Sequence, residues 1–209
     1  AFNAINLETD PPRAPNPMVN AGAIAITDMV PGDTIDERVQ VVRELFARYL
    51  GRRPTIDASV WASERATGHH NRAIAHLMLS QGIIGDRVDE TLDLYFAQCS
   101  VLVTSADLAV IGATIANHGR HPVTGEQVVG RQVTRDMLTV ALTCGMYDYA
   151  GEWAYSVGIP AKSGVGGGII GMLPGVGSVS TFSPRLDAIA IRLASSASDS
   201  MLNQPIPAS

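Results

Sequence analysis

The strongest pattern in this chain is the spacing of its apolar residues, which is helical over most of the first 145 positions. From Asp33 to Leu50 they fall at Ile35, Val39, Val42, Leu45, Phe46 and Tyr49, predicting a helix with Asp33 as N-cap and Gly51 as its stop. A short helix is expected after Asp57, through Trp61 towards Arg65. "NRAIAHLMLSQG" continues with Ile74, Leu77 and Met78 on one face and Gly82 as terminator. Val88, Leu92, Tyr95, Phe96 and Cys99 make the cleanest amphipathic stripe. Another helix starts near Thr104, with Asp107 in its cap, and ends at Asn117-His118-Gly119. "HPVTGEQVV" predicts a turn and a short extended piece, followed by a helix from about Thr134 to Thr143.

After Gly145 the texture changes. "EWAYSVGIPAKSGV", "GGIIGMLPG" and "GSVSTFSP" are β-prone runs punctuated by Gly and Pro, which predicts antiparallel strands joined by tight turns. For "DAIAIRLASSA" a strand and a helix fit equally well. Helices first and strands late favour segregated layers, an α+β arrangement, over alternating βαβ units.

Composition narrows the class. The 209 residues are 46 % hydrophobic and 17 % charged, which suits a globular chain. A net charge of −5 and a pI near 5.4 argue against a nucleic-acid or anionic-membrane partner. No apolar run approaches the ~20 residues that cross a bilayer. Cys99 and Cys144 have no C-x-x-C spacing, so a reduced, cytoplasmic setting is expected. The opening Ala1-Phe2-Asn3-Ala4 has neither methionine nor signal-like features, as if cut from something longer.

One residue then changes the picture. Lys162 is the sole lysine, set against Ser163 and a run of glycines in "GIPAKSGVGGGIIGMLPG". Arginine serves where a permanent charge is enough, whereas lysine can lose its proton beside a reacting group. Nucleotide readings of the glycines are weak. Gly166 to Gly171 formally fits G-x-G-x-x-G, but a Pro174-Gly175 turn follows rather than a helix, and Ala161 precedes the lysine where a Walker loop needs glycine. The five histidines, His69, His70, His76, His118 and His121, show no metal-ligand spacing, so exposed turn and helix-surface positions are expected for them rather than a metal site. Ile159 stands three residues before Lys162, so the chain contains no Ser-x-x-Lys. On a strand, Ser163 and Lys162 point to opposite faces, which makes Ser163 a poor nucleophile and Lys162 a charge lining a cleft.

Three polar clusters accompany it: Asn20 in "NPMVNAGAI", Glu64 and Asn71 in "SERATGHHNRAIAHLM", and Tyr147 in "CGMYDYAGEWAY". Taken singly, Asn20 and Asn71 suit caps, Glu64 a solvated helix face, Tyr95 core and Lys162 plain surface. Together with "YFAQCSVLVT", "GATIANHGRHPVTGEQV", "PAKSGVGGGIIGMLPGVG" and "FSPRLD", they run in one order from Asn16 to Asp187 and resemble the serine-dependent glutaminase family.

The resemblance implies a β-lactamase/transpeptidase-like fold, an antiparallel sheet flanked by helices. It implies hydrolysis of L-glutamine to L-glutamate and ammonia through an acyl-serine intermediate, without metal or organic cofactor, in a homodimer or homotetramer. Carried over, Lys162-Ser163-Gly164 is the K-[ST]-G strand and Tyr147 the proton-transfer tyrosine, its pKa lowered by a nearby cation. The Val165 N–H becomes an oxyanion donor. Glu64 suits the substrate's α-ammonium; Asn20, Asn71 and Tyr95 suit its other polar groups. The family's Ser-x-x-Lys falls before this chain's opening, so residues 1–187 are expected to be a catalytic domain lacking its nucleophile segment, inactive as given. Residues 188–209 diverge from the family pattern. A β-lactam-interacting or peptidase relative, and a non-catalytic amino-acid-binding module, are the alternatives.

Overall fold

The computed structural model describes residues 5–183, which form two compact units, one up to Val103 and one from Thr104. The expected final element, in "DAIAIRLASSA", lies outside the described residues.

The first unit is mainly helical. Its elements are β1 (Glu8–Thr9), β2 (Pro12–Arg13), α1 (Asn20–Asp28), α2 (Ile35–Leu50), β3 (Thr55–Ile56), α3 (Ala58–Thr67), α4 (His69–Ser80), α5 (Val88–Cys99) and β4 (Val101–Leu102). β1 pairs with β2 and β3 with β4, each antiparallel. The core joins Ala21 and Ile24 of α1, Ile74, Ala75 and Met78 of α4, and Val88, Leu92 and Phe96 of α5. The α5 stripe is thus borne out at its four-residue spacing, while Tyr95 is half-buried and Cys99 exposed.

Two details of the sequence reading change. The N-cap of α2 is Thr34, not Asp33: Thr34 Oγ1 accepts the Glu37 N–H at 3.3 Å, and Glu37 Oε2 accepts the Asp33 and Thr34 N–H groups at 2.8 and 3.3 Å. Leu77 is 36 % exposed, because Ala75 completes the buried face of α4 with Ile74 and Met78. Arg38 is wholly buried, and its guanidinium donates to Thr27 O at 2.9 Å, Val30 O at 3.2 Å and Asp28 O at 3.3 Å, serving the open carbonyls at the end of α1.

The second unit holds α6 (Ser105–Ala116), α7 (Arg131–Cys144), a 3-10 turn (Tyr147–Tyr149), α8 (Ala150–Ser156), β5 (Ala161–Ser163), β6 (Gly168–Leu173) and β7 (Gly177–Phe182). The strands form one antiparallel sheet in the order β5-β6-β7. α6 lies against β6 and β7; Ser178 and Ser180 of β7 donate to the α6 carbonyls of Ala109 and Ser105. Thr104 and Asp107 cap α6 reciprocally, as expected. The run "EWAYS" is helical rather than extended. Ala150 and Trp153, three apart, face the core at 5 % and 3 % exposure, and Trp153 Nε1 donates to Ile159 O at 2.8 Å. α7 begins at Arg131, three residues before the expected start. Among the described residues no helix is long and apolar enough to cross a membrane.

Candidate active site

The lysine is placed by the backbone around it. On β5, Ala161 is fully buried and Ser163 is 2 % exposed, while Lys162 between them faces the other side, as the strand period requires. The chain leaving α7 comes unusually close to this strand. Ser163 N–H donates to Gly145 O at 3.2 Å, and a Cβ on Gly145 would sit 1.8 Å from Ala161 O. Only glycine permits that approach. Met146 next to it is fully buried and anchors the turn. Tyr147 follows with φ +54°, a left-handed conformation that is costly for an aromatic residue and marks a held position.

The outcome is a direct pair. Lys162 Nζ donates to Tyr147 Oη at 3.0 Å and lies 4.2 Å from the centre of the tyrosine ring. It also donates to Ser163 O, so the lysine engages the carbonyl of its neighbour, not the hydroxyl. Ser163 Oγ is buried with no hydrogen-bond partner among the described residues. Burial lowers the Lys162 ammonium to about 8. Burial also pushes the Tyr147 phenol up, opposite to the lowering expected from an adjacent cation. Both shifts have one cause: the pair is taken out of water, which disfavours phenolate and ammonium alike. The proton on Lys162 is therefore the labile one at neutral pH, and the phenol stays protonated.

Val165 lies in the turn between β5 and β6 and is 51 % exposed. Gly164 N–H is spent on Gly168 O at 2.8 Å, and Gly167 N–H on Gly164 O at 2.9 Å. The Val165 N–H makes no backbone hydrogen bond among the described residues, leaving a donor at the turn.

In the first unit, two predicted residues 51 positions apart meet. Asn20 Nδ2 donates to Asn71 Oδ1 at 2.9 Å, so both are half-buried partners across α1 and α4, not caps. The N-cap of α1 is Val19, and that of α4 is Gly68. Glu64 on α3 and Tyr95 on α5 are linked through Cys99. Its thiol hydrogen-bonds Tyr95 and feels the charge of Glu64, although desolvation contributes most to raising its pKa. Cys99 is thus a neighbour of the candidate site that its place in an apolar stripe conceals. A groove of about 310 Å³ lies beside Tyr95, lined also by Ala23, Thr27, Gln98 and Cys99. Asn20, Glu64 and Asn71 are not in its lining, so it is not the pocket those residues would form.

The described residues contain no group of three His, Cys, Asp or Glu side chains arranged to hold a metal. What they do contain is an amine on a K-S-G strand paired with the phenol of Tyr147, and, in the turn after that strand, the Val165 N–H without a backbone acceptor. A family model described as Glutaminase matches residues 1–202. The chain belongs to the glutaminase family. It is 55 % identical over 187 residues to a glutaminase of Nostoc sp., an alignment covering 90 % of this chain and 56 % of the relative. A Bacillus glutaminase solved in 4.3 M NaCl superposes with a TM-score of 0.88 at 34 % identity, over 97 % of this chain and 72 % of that one. A Bacillus subtilis glutaminase solved as a covalent complex with 5-oxo-L-norleucine, formed by reaction with 6-diazo-5-oxo-L-norleucine, gives 0.79 at 34 % identity, over 88 % of this chain and 68 % of that one. The chain thus has the antiparallel-sheet-and-helix fold of these glutaminases, and it spans about half the length of the curated relatives it matches.

Proposed function

We propose that this chain carries the substrate-recognition and proton-transfer parts of a glutaminase that hydrolyses L-glutamine to L-glutamate and ammonia. The Lys162–Tyr147 pair carries the reading: an amine held at about 8 and 3.0 Å from a phenol is matched to proton transfer near neutral pH. In amide hydrolysis an acyl-serine forms as ammonia leaves, and water then releases glutamate. Tyr147 passes the proton at the reacting centre, Lys162 exchanges it, and the Val165 N–H stabilises the developing oxyanion. Glu64 takes the α-ammonium, with Asn20, Asn71 and Tyr95 on the remaining polar groups. The covalent glutamine-analogue complex of the Bacillus subtilis relative supports the covalent route.

These 209 residues contain no Ser-x-x-Lys, so in this reading the nucleophile is not one of them. We therefore assign residues 1–187 to the catalytic domain, without turnover of their own. Association into a homodimer or homotetramer belongs to the same reading, as does a cytoplasmic location, supported by the free thiols of Cys99 and Cys144. Ammonia release and glutamine binding, measured on the folded 209-residue chain, test the proposal. Binding without release, with affinity lost in Glu64→Gln, supports it. Turnover by this chain, or unchanged affinity in Glu64→Gln, contradicts it.

A further inference from the structure

α3 has an unusual position among the helices of its unit: it carries Glu64, yet none of its ten residues is buried. A helix this short is marginal without an apolar face packed on a core. Half-buried Trp61 gives it only partial packing on the core of this unit, and one carboxylate on the neighbouring helix holds both that residue and the next turn. Trp61 Nε1 donates to Asp93 Oδ1 at 3.0 Å, and the Arg65 guanidinium engages both carboxylate oxygens of Asp93. Arg65 also stacks over the Trp61 ring, 4.2 Å from its centre. Trp61, Glu64 and Arg65 are spaced i, i+3 and i+4, so they share a face, and anchoring the outer two sets the rotation of the middle one.

The end of the helix is fixed to the same neighbour. A Cβ on Gly68 would lie 2.5 Å from Phe96 Cζ, and Arg72, 5.6 Å from the centre of the Phe96 ring, donates to Arg65 O. Asp93 lies two residues before Tyr95 on α5.

We infer that Asp93 is a positioning residue for Glu64: its clamp on Trp61 and Arg65 orients α3 so that the Glu64 carboxylate meets an α-ammonium. This rests on the assignment of Glu64 proposed above. The ion pair is only partly shielded, with Arg65 and Asp93 side chains 49 % and 24 % exposed. Surface pairs of that kind contribute little alone and weaken with salt. Its importance comes from being bidentate, and from the absence of a fully buried residue on α3, whose Trp61 meets the core only in part.

The test compares Asp93→Asn with the unaltered 209-residue chain by amide hydrogen exchange and by NMR titration with L-glutamate and with glutarate, which lacks the α-ammonium. The clamp predicts faster exchange confined to residues 58–67. It also predicts a fall of about tenfold in the preference for L-glutamate over glutarate, by analogy with the cost of removing a partner that orients a metal-ligating side chain. A merely structural role would weaken both ligands alike. Unchanged exchange in α3, or an unchanged preference, overturns the inference. Glu64→Gln separates the two ideas. If it keeps the L-glutamate preference, the assignment of Glu64 fails together with the positioning role, whereas the clamp itself is still judged by exchange.

Discussion

Glu64 and Lys162 carry opposite charges and are held in opposite ways. Lys162 lies on a strand between two buried residues, with the Gly145 backbone pressed against that strand and Met146 buried beside it. Glu64 lies on a helix with no buried residue, oriented by charges on the next helix. The difference suits the proposed roles. A group that exchanges a proton needs desolvation to tune it, and desolvation needs a rigid core. A carboxylate that attracts an ammonium needs orientation, which polar contacts near solvent can supply. One region is therefore vulnerable to steric change and the other to charge and salt.

The largest effect should come from adding one methyl group to the rigid region. Gly145→Ala places a Cβ 1.8 Å from the Ala161 carbonyl, and backbone must move. A stability loss of about 3 kcal/mol or more is expected, read from urea unfolding. Loss below about 1 kcal/mol would show that the approach of the turn to β5 is not tight.

Next is the pH dependence from Lys162. Its folded pKa, about 8, lies below that of a free lysine, so between these values the unfolded chain binds more protons. Stability contributed here rises as pH increases from about 8 towards ~10, by up to about 2–3 kcal/mol. Above ~10 the raised Tyr147 pKa acts in the other direction, since the folded state then keeps a proton the unfolded chain loses. Lys162→Met should flatten the rise between 8 and 10, measured as urea midpoints across that interval.

The surface-held region should respond to salt. Raising ionic strength from 0.05 to about 1 M shortens the screening length to ~3 Å and should accelerate amide exchange in residues 58–67, leaving 145–163 unchanged. Smallest is Thr34→Ala, which removes the cap of α2, a helix that carries none of the candidate site residues. It should cost about 1 kcal/mol with no change in glutamate affinity.

The helices α2, α5 and α6 were legible from their apolar period, and α6 shows the expected Thr104–Asp107 cap. α8 was not. Seven residues give periodicity too few positions, and the Gly and Pro around "EWAYS" resemble strand punctuation. Asp33 and Thr34 are adjacent capping types, and only the reach of Glu37 decides between them. In the candidate site, Lys162 stood out because it has no duplicate, and strand alternation separated it from Ser163. The Asn20–Asn71 contact spans 51 positions and follows from no local rule. Asp93 left no signal, since a helix pattern records it only as one more polar residue on the outer face.

Proton exchange by Lys162 requires a buried amine held beside Tyr147, and its burial is directly measurable. As the sole lysine in the sequence, it gives a single side-chain resonance when the chain is labelled with 13C-lysine. Titration of that resonance in the folded chain should show a midpoint at about 8. A midpoint near the ~10.4 of free lysine would contradict the account, showing the ammonium to be solvated and no partner in proton transfer.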